Sequence, residues 1–140
     1  MKNTDIVITA ANRTAVGALG KSLKCIHAHE LGSATIEELI KKTSIEKDDI
    51  DEVILGQVLT AGLGQNPARQ ASIKSGIPKE KPAFLVNQVC GSGIRSVASG
   101  VQSIMAGDSK IIIAGGQESM SLSPHSVHLR NGKKLGDTEL

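Results

Sequence analysis

The segment of the chain best suited to chemistry is residues 87–93, with the sequence NQVCGSG. An apolar run typical of a buried strand ends at Val89, and an amphipathic helical pattern begins at Gly91. This order predicts that Cys90 lies at the carboxyl end of a strand, where open α/β sheets bind their ligands. It also predicts a thiol at a helix N-terminus, whose partial positive charge favours a thiolate.

The glycines that follow the cysteine fit a reactive site. Gly91 and Gly93 leave room for a substrate to approach the backbone. The backbone N–H of Cys90 or of Gly91 is a candidate donor to a developing oxyanion. The alternative interpretation is that Cys90 is a small buried hydrophobic residue and that the glycines serve close packing of helix on strand. The pattern favours the interpretation of Cys90 as a nucleophile over that of a buried hydrophobic residue.

Strand-like and helical patterns alternate along the rest of the chain. Strands are predicted at Ile6–Ala11, Val53–Val58, Ala83–Val89 and Lys110–Ala114. Helices are predicted at His29–Lys42, from Asn66-Pro67 to Gly76, and at Gly91–Ala106. The order β-α-β-α-β-α-β is typical of a layered α/β fold with a mainly parallel sheet. The strands are apolar throughout rather than alternating, as expected when both faces of a sheet are covered.

Composition excludes several classes of protein. The chain has 140 residues, 39% of them hydrophobic, which suits one packed domain. With 1% aromatic residues and a net charge of +2, a nucleic-acid binder that stacks bases is excluded. No apolar run approaches the length of a membrane span, and the N-terminus has no signal region. The two cysteines suggest no disulfide, so a cytoplasmic location is expected.

No metal site is predicted. Cys25, His27 and His29 alternate along the chain, but no fourth ligand lies near them in the sequence. His125 and His128 are interpreted as polar loop residues. Neither group has the ligand spacing of a zinc site.

Together with further segments, the segment around Cys90 resembles the thiolase family. In the family's order, the matching segments are EVILGQV at 52–58, GQNPARQ at 64–70, NQVCGSG at 87–93, AGGQESMS at 114–121, PH at 124–125 and HLR at 128–130. They extend over essentially the whole chain. The resemblance is greatest to the acetyl-CoA acetyltransferase branch of the family.

The resemblance implies a fold of two similar α/β halves with an inserted loop domain. Residues 1–116 would form the N-terminal half-domain, and residues 117–140 would begin an incomplete loop domain. It implies that Cys90 attacks an acyl-CoA, forms an acyl-thioester and passes the acyl group to the enolate of a second acetyl-CoA. Two acetyl-CoA would thus give acetoacetyl-CoA and CoA, or the reverse, with coenzyme A thioesters as substrates and no cofactor.

The chain departs from the family in what it lacks. Thiolases carry a second cysteine in a Cys-x-Gly-Gly-Gly motif, a histidine in Gly-His-Pro and an asparagine in Asn-Glu-Ala-Phe, and these 140 residues contain none of the three motifs. Gln117 stands where the family commonly has Met. Cys90 is therefore the one predicted catalytic residue, and the chain alone is expected to be inactive.

Three hypotheses for the function follow. The first is the acetyl-CoA acetyltransferase reaction of a thiolase N-terminal half, with Cys90 as nucleophile in a homo-oligomer. The second is a non-catalytic remnant or an interaction subunit, either the product of an interrupted gene or one half of a split thiolase that pairs with a separately encoded C-terminal half. The third and weakest is a papain-like cysteine hydrolase, suggested only by the tripeptide Cys90-Gly91-Ser92.

Overall fold

A computed structural model of the chain describes residues 5–128, in which helices and strands alternate. In chain order they are α1 (Ala28–Thr43), β1 (Glu52–Gly56), α2 (Pro67–Lys74), β2 (Ala83–Val86), α3 (Ser92–Ala106) and β3 (Ile112–Gly116). Short 3₁₀ turns lie at Lys47–Asp49 and Met120–Leu122. The three helices and the last three strands agree with the sequence-based predictions to within a few residues at each end.

The strands form one parallel sheet in the order β2-β1-β3. Val53 of β1 pairs with Ala83 of β2 on one side and with Ile113 of β3 on the other. The connection through α2 therefore crosses the sheet in one direction, and the connection through α3 crosses it in the other. Because such crossovers are right-handed, the two helices must lie on opposite faces of the sheet. The predicted layered α/β fold with a parallel sheet is confirmed.

The two faces of the sheet are packed differently. On the face covered by α1 and α2, aliphatic side chains form the core, which includes Ile36, Val53, Leu55, Ala71 and Ile77. The opposite face is covered by α3, which buries only small residues, Ser92, Ser96 and Gly100. Because these three residues are four apart, they share one side of the helix. The helix backbone can therefore lie close to the sheet.

The apolar stripe of α3 does not face this sheet. Ile94 and Met105 are each 75% exposed, and Val101 is 37% exposed. The helix predicted at Gly91–Ala106 is confirmed, because α3 extends from Ser92 to Ala106. The small residues of α3 allow the closest approach to the sheet, so the large side chains are left on the outside.

The predicted first strand does not form within the described residues. Residues 5–12 pair with no strand, and Val7 and Ile8 are 69% and 80% exposed. A strand exists only as part of a hydrogen-bonded ladder, and no neighbouring strand is in reach of this segment. The β-branched residues therefore identify a segment that favours a strand, but no described strand pairs with it. The order of elements in the described residues is α-β-α-β-α-β rather than β-α-β-α-β-α-β.

The start of β3 is set by a side chain. The strand was predicted at Lys110–Ala114, but it begins two residues later, at Ile112. The Asp51 carboxylate accepts hydrogen bonds from the N–H groups of Lys110 and Ile111, at 2.7 and 3.0 Å. These bonds hold the pKa of Asp51 below its ordinary value of 3.8. They also align the beginning of β3 with the beginning of β1.

The Asp51→Asn variant tests this contact through its pH dependence. Because the folded-state pKa is lowered, the stabilisation is fully present above pH 3.8 and is lost as the pH falls through the lower folded value. At neutral pH we expect the variant to lose about 1 kcal/mol of unfolding free energy. Urea unfolding measured across the acid range should show this difference shrinking below pH 3.8. Asp49→Asn, an exposed neighbour, is the control, and a difference from wild type that does not change with pH would contradict the assignment.

Candidate active site

Cys90 lies in the short connection between β2 and α3. The strand ends at Val86, Gly91 is the N-cap residue of α3, and the thiol of Cys90 is exposed. The connection is at the carboxyl edge of the parallel sheet, the edge at which open α/β sheets bind ligands. The structure therefore places Cys90 where the sequence predicted it. Its catalytic role stays a prediction at this point.

Hydrogen bonds within the connection hold its backbone. The Asn87 side-chain oxygen accepts a bond from the N–H of Val89 at 3.0 Å. The Ser92 hydroxyl accepts from the N–H of Gln88 at 2.8 Å and donates to the Val89 carbonyl at 2.6 Å. Because Ser92 is buried, these bonds are shielded from water. The residue before Cys90 is therefore held on both sides.

Val89 has an unfavourable backbone conformation. Its φ is +50°, in the left-handed region that β-branched residues rarely adopt. Such a residue costs of the order of 1–3 kcal/mol, and it persists only where the surrounding structure imposes it. Here the Asn87 and Ser92 bonds impose it. Strain of this kind is concentrated at functional sites, and in this chain it lies directly beside the exposed thiol.

Only one of the two predicted oxyanion donors is available. The N–H of Gly91 donates to the Gln88 carbonyl at 3.0 Å, so it is occupied within the turn. Among residues 5–128, no acceptor takes the N–H of Cys90. The prediction that either group could serve is thus narrowed to the N–H of Cys90 itself. When a thiol attacks a carbonyl carbon, the backbone N–H of the same residue lies close to the carbonyl oxygen.

Three glycines bring the start of α3 onto the sheet. A Cβ atom on Gly56, the last residue of β1, would clash with the carbonyl carbon of Ser92. A Cβ atom on Gly116, the last residue of β3, would lie 3.3 Å from the Cα of Gly93. The first turn of α3 therefore packs directly against the ends of both strands. This contact fixes the height of Cys90 above the sheet.

Glu118 connects the loops around the site. Its carboxylate accepts hydrogen bonds from the N–H groups of Val58 and Leu59, at 2.8 and 3.3 Å. The Val58 carbonyl in turn accepts a bond from the Asn87 side chain at 3.3 Å. The loops that follow β1, β2 and β3 are thus joined. In the sequence, Glu118 stands out only as part of the segment at 114–121 that resembles thiolases, because a glutamate in a loop after a strand has no local signature of its hydrogen bonds.

The buried side-chain amides of Gln57 and Gln117 form a second connection between these loops. The Gln117 side chain donates to the Gln57 side-chain oxygen at 2.8 Å, and Gln57 donates to the Leu59 carbonyl at 2.8 Å. Both side chains are buried. The side-chain oxygen of Gln117 has no hydrogen-bond partner within the described part of the chain, and it packs against Gly32 of α1. The polar residue at position 117 therefore contributes to this network.

The remaining predicted site residues lie apart from this arrangement. Cys25 is exposed, two residues before the N-cap of α1, and the rings of His27 and His29 stack at 5.5 Å. Burial lowers the pKa of His29 below 6.5. His125 and His128 are exposed in irregular backbone. Across residues 5–128, no three His, Cys, Asp or Glu side chains are grouped as metal ligands, and no helix is long and apolar enough to cross a membrane.

Comparison with known proteins decides the family. Residues 6–140 match the family described as "Thiolase, N-terminal domain". The chain belongs to the thiolase family. An acetyl-CoA acetyltransferase of Rhizobium meliloti is 54% identical over 100% of this chain and 36% of its own length. A cytosolic acetyl-CoA acetyltransferase of Rattus norvegicus is 46% identical over 96% of this chain and 34% of its own length.

Solved thiolases have the same fold in the matched region. The crystal structure of the Bacillus anthracis acetyl-CoA acetyltransferase has a TM-score of 0.86 and 34% identity, over 95% of this chain and 34% of its own. A thiolase of Ascaris suum, crystallised in complex with coenzyme A, has a TM-score of 0.78 and 40% identity, over 80% of this chain and 29% of its own. The chain thus spans about a third of the length of these relatives. The predicted membership of the thiolase N-terminal part is confirmed. The domain boundary predicted at residue 116 stays a prediction, and residues 129–140 lie outside the described part.

The glycine contact under α3 can be tested by a matched pair of variants. Gly56→Ala places a methyl group against the Ser92 carbonyl, whereas Gly115→Ala, in β3, points into open space. We expect Gly56→Ala to lower the free energy of unfolding by about 1–3 kcal/mol, as overpacking does. Gly115→Ala should stay within about 0.5 kcal/mol of wild type. Urea unfolding measures the free energy of unfolding of both variants. Equal losses would contradict the close contact between Gly56 and the backbone of Ser92.

Proposed function

We propose that this chain supplies the nucleophile of an acetyl-CoA acetyltransferase reaction and that the nucleophile is Cys90. The observation that carries the proposal is an exposed thiol at the carboxyl edge of the sheet, next to the strained Val89 and at the start of α3. Its support is the similarity to proteins named acetyl-CoA acetyltransferase. Coenzyme A thioesters are the proposed substrates, with no further cofactor.

In the first step the Cys90 thiolate attacks the carbonyl carbon of acetyl-CoA. A bond forms between the Cys90 sulfur and that carbon, and the electron pair of the carbonyl moves onto its oxygen. The proposed donor to this oxyanion is the N–H of Cys90, which no acceptor among residues 5–128 takes. Collapse of the intermediate breaks the bond to the coenzyme A sulfur, which leaves as a thiolate and is protonated. Because one thioester replaces another, the step is nearly balanced in energy and reverses readily.

The second step requires groups beyond Cys90. A base must take a proton from the methyl group of a second acetyl-CoA, and the resulting carbanion attacks the Cys90 thioester. Acetoacetyl-CoA leaves and the thiol of Cys90 is regenerated. In the thiolase family, residues of the Gly-His-Pro and Cys-x-Gly-Gly-Gly motifs carry out these tasks. The 140 residues contain neither motif. We therefore propose that catalysis also needs the other part of a thiolase. A homo-oligomer in the cytoplasm is part of the same proposal.

The alternative function is that of a non-catalytic interaction subunit of a split thiolase. The observation that favours it is the exposed apolar stripe of α3, which includes Ile94, Val101 and Met105. A face of this kind on a helix marks a contact surface. The two functions differ in whether Cys90 is required once a partner has bound.

Thiolysis of acetoacetyl-CoA tests the proposal. We expect the chain alone to be inactive, since loss of general acid–base help costs about 10²–10⁴-fold in rate and loss of oxyanion donors costs about 10²–10³-fold more. Coexpression with the remaining part of the Rhizobium meliloti relative, which is 54% identical to this chain, should restore turnover. The measurement is the loss of enolate absorbance on addition of coenzyme A.

Two variants are the controls for this assay. Cys90→Ala should abolish the restored activity, whereas Cys25→Ala should leave it unchanged. Restored turnover that survives Cys90→Ala would overturn the role of Cys90. Turnover by these 140 residues alone would mean that a base lies within them and would contradict the need for the other part of a thiolase.

A further inference from the structure

The backbone hydrogen bonds at the start of α3 stop at Cys90. Two successive bonds there each run from an N–H to the carbonyl of the third residue before it, and the second joins Ser92 to Val89 at 3.1 Å. The same series, extended back along the chain, would join the N–H of Cys90 to the Asn87 carbonyl. That bond does not form, and no acceptor among residues 5–128 takes this N–H.

The left-handed conformation of Val89 interrupts the series. A helix continues backwards only through residues with a right-handed φ of about −63°, whereas the φ of Val89 is +50°. Because the carbonyl of Val89 and the N–H of Cys90 belong to one planar peptide group, the conformation of Val89 sets the direction of that N–H. A right-handed Val89 would turn the N–H to the Asn87 carbonyl and occupy it. The strained residue therefore leaves free the N–H that is the proposed oxyanion donor.

Two side chains hold the peptide groups on either side of Val89. The Ser92 hydroxyl donates to the Val89 carbonyl at 2.6 Å and accepts from the N–H of Gln88 at 2.8 Å. The Asn87 side-chain oxygen accepts from the N–H of Val89 at 3.0 Å. Ser92 is 4% exposed, whereas Asn87 is exposed, so the bonds of Ser92 are the better shielded from water. Ser92 is therefore the stronger restraint on the turn.

We propose that Ser92 is a positioning residue for the acyl-transfer reaction, which holds Val89 in the left-handed conformation and thereby keeps the N–H of Cys90 free to bind the oxyanion. The inference rests on the proposed function for the identity of the reaction. It adds what keeps the donor available and which side chain is responsible. Both hydroxyl bonds of Ser92 are to backbone groups, so it acts through the turn and not on the substrate.

The effect of Ser92 belongs to the transition state rather than to substrate binding. Negative charge develops on the thioester oxygen only as the Cys90 sulfur attacks the carbonyl carbon. An N–H already paired with the Asn87 carbonyl would have to leave that bond before it could stabilise the charge. Loss of one oxyanion donor lowers the rate by about 10²–10³-fold. We therefore expect a change at Ser92 to lower kcat and to leave KM nearly unchanged.

Ser92→Ala and Ser96→Ala form a matched pair of variants. The two serines lie one turn apart on the same side of α3, and both are buried. The Ser96 hydroxyl also makes two short bonds to backbone, to the carbonyls of Gly93 and Gly115 at 2.6 Å. Neither carbonyl belongs to the turn before Cys90. Both variants lose buried hydrogen bonds, but only Ser92→Ala releases the turn.

Thiolysis of acetoacetyl-CoA by the complex with the remaining part of the Rhizobium meliloti relative compares the two variants. We expect Ser92→Ala to lower kcat by about 10²-fold with KM within about twofold of wild type. Ser96→Ala should keep kcat within about threefold of wild type. Equal losses of kcat in the two variants, or a change in KM alone, would overturn the role of Ser92.

The Val89→Gly substitution separates positioning from a general loss of structure. Glycine adopts a positive φ without the steric cost that valine carries, so the turn no longer needs Ser92 to impose it. The loss of kcat caused by Ser92→Ala should therefore shrink from about 10²-fold to about tenfold or less when Val89→Gly is also present. A loss of the same size in both backgrounds would contradict the proposal.

Amide hydrogen exchange, measured by NMR on the full chain, reports on the N–H of Cys90 without catalysis. In the wild type this free N–H should exchange within about threefold of the rate of an unstructured peptide. In Ser92→Ala it should slow by about fivefold or more, because it gains the Asn87 carbonyl as acceptor. A general loosening of the turn would not slow it, so unchanged exchange in Ser92→Ala would overturn the proposal. Slow exchange in the wild type would also do so, and that measurement stands even where Ser92→Ala fails to fold.

The Cys90→Ala variant separates this inference from the proposed function. Turnover of the complex that survives Cys90→Ala would overturn the proposed function, whatever the exchange measurement shows at the turn. Turnover that requires Cys90 but falls equally in Ser92→Ala and Ser96→Ala would overturn only the role of Ser92.

Discussion

The contact between the first turn of α3 and the ends of β1 and β3 is the constraint on which the site depends. Gly56, Gly93 and Gly116 have no side chains, so the helix backbone packs directly on the strands. Cys90 precedes that turn and is carried to the carboxyl edge of the sheet. The small residues Ser96 and Gly100 continue the close packing along the helix. The exposed thiol of Cys90 is thus positioned by packing of backbone on backbone rather than by flexible side chains.

The loops around Cys90 are held by a second set of interactions that starts from Glu118. Its carboxylate binds the loop after β1, that loop binds Asn87, and Asn87 binds the N–H of Val89. The φ of Val89 is +50°, a conformation that such bonds must maintain. The strain beside Cys90 is therefore balanced by contacts that reach across all three strand ends. Within residues 5–128, the apolar side chains Ile94, Val101 and Met105 of α3 remain exposed.

Much of this could be predicted from the sequence. The pattern from Val89 to Gly91 located Cys90 between a strand and a helix. The helix start predicted at Asn66-Pro67 is confirmed, because Asn66 caps α2 by accepting a bond from the N–H of Arg69 at 3.1 Å. These are local signals. The predictions that were wrong depend on contacts between residues that are far apart in the sequence. The strand at residues 6–11 needs a neighbour that the described residues do not supply, and the start of β3 depends on Asp51, about sixty positions earlier. Periodicity also does not tell which face of α3 meets the sheet, and the face that does so carries the small residues Ser92, Ser96 and Gly100.

Acetylation of Cys90 is the most direct test of the central claim. The chain, bound to the remaining part of the Rhizobium meliloti relative, is mixed with acetyl-CoA, quenched in acid and digested for peptide mass spectrometry. The proposal predicts that the peptide containing Cys90 gains the mass of one acetyl group, that added coenzyme A removes it, and that the peptide containing Cys25 is unmodified. An acetyl group found on Cys25 or on no cysteine of this chain, in a complex that carries out thiolysis, would contradict it.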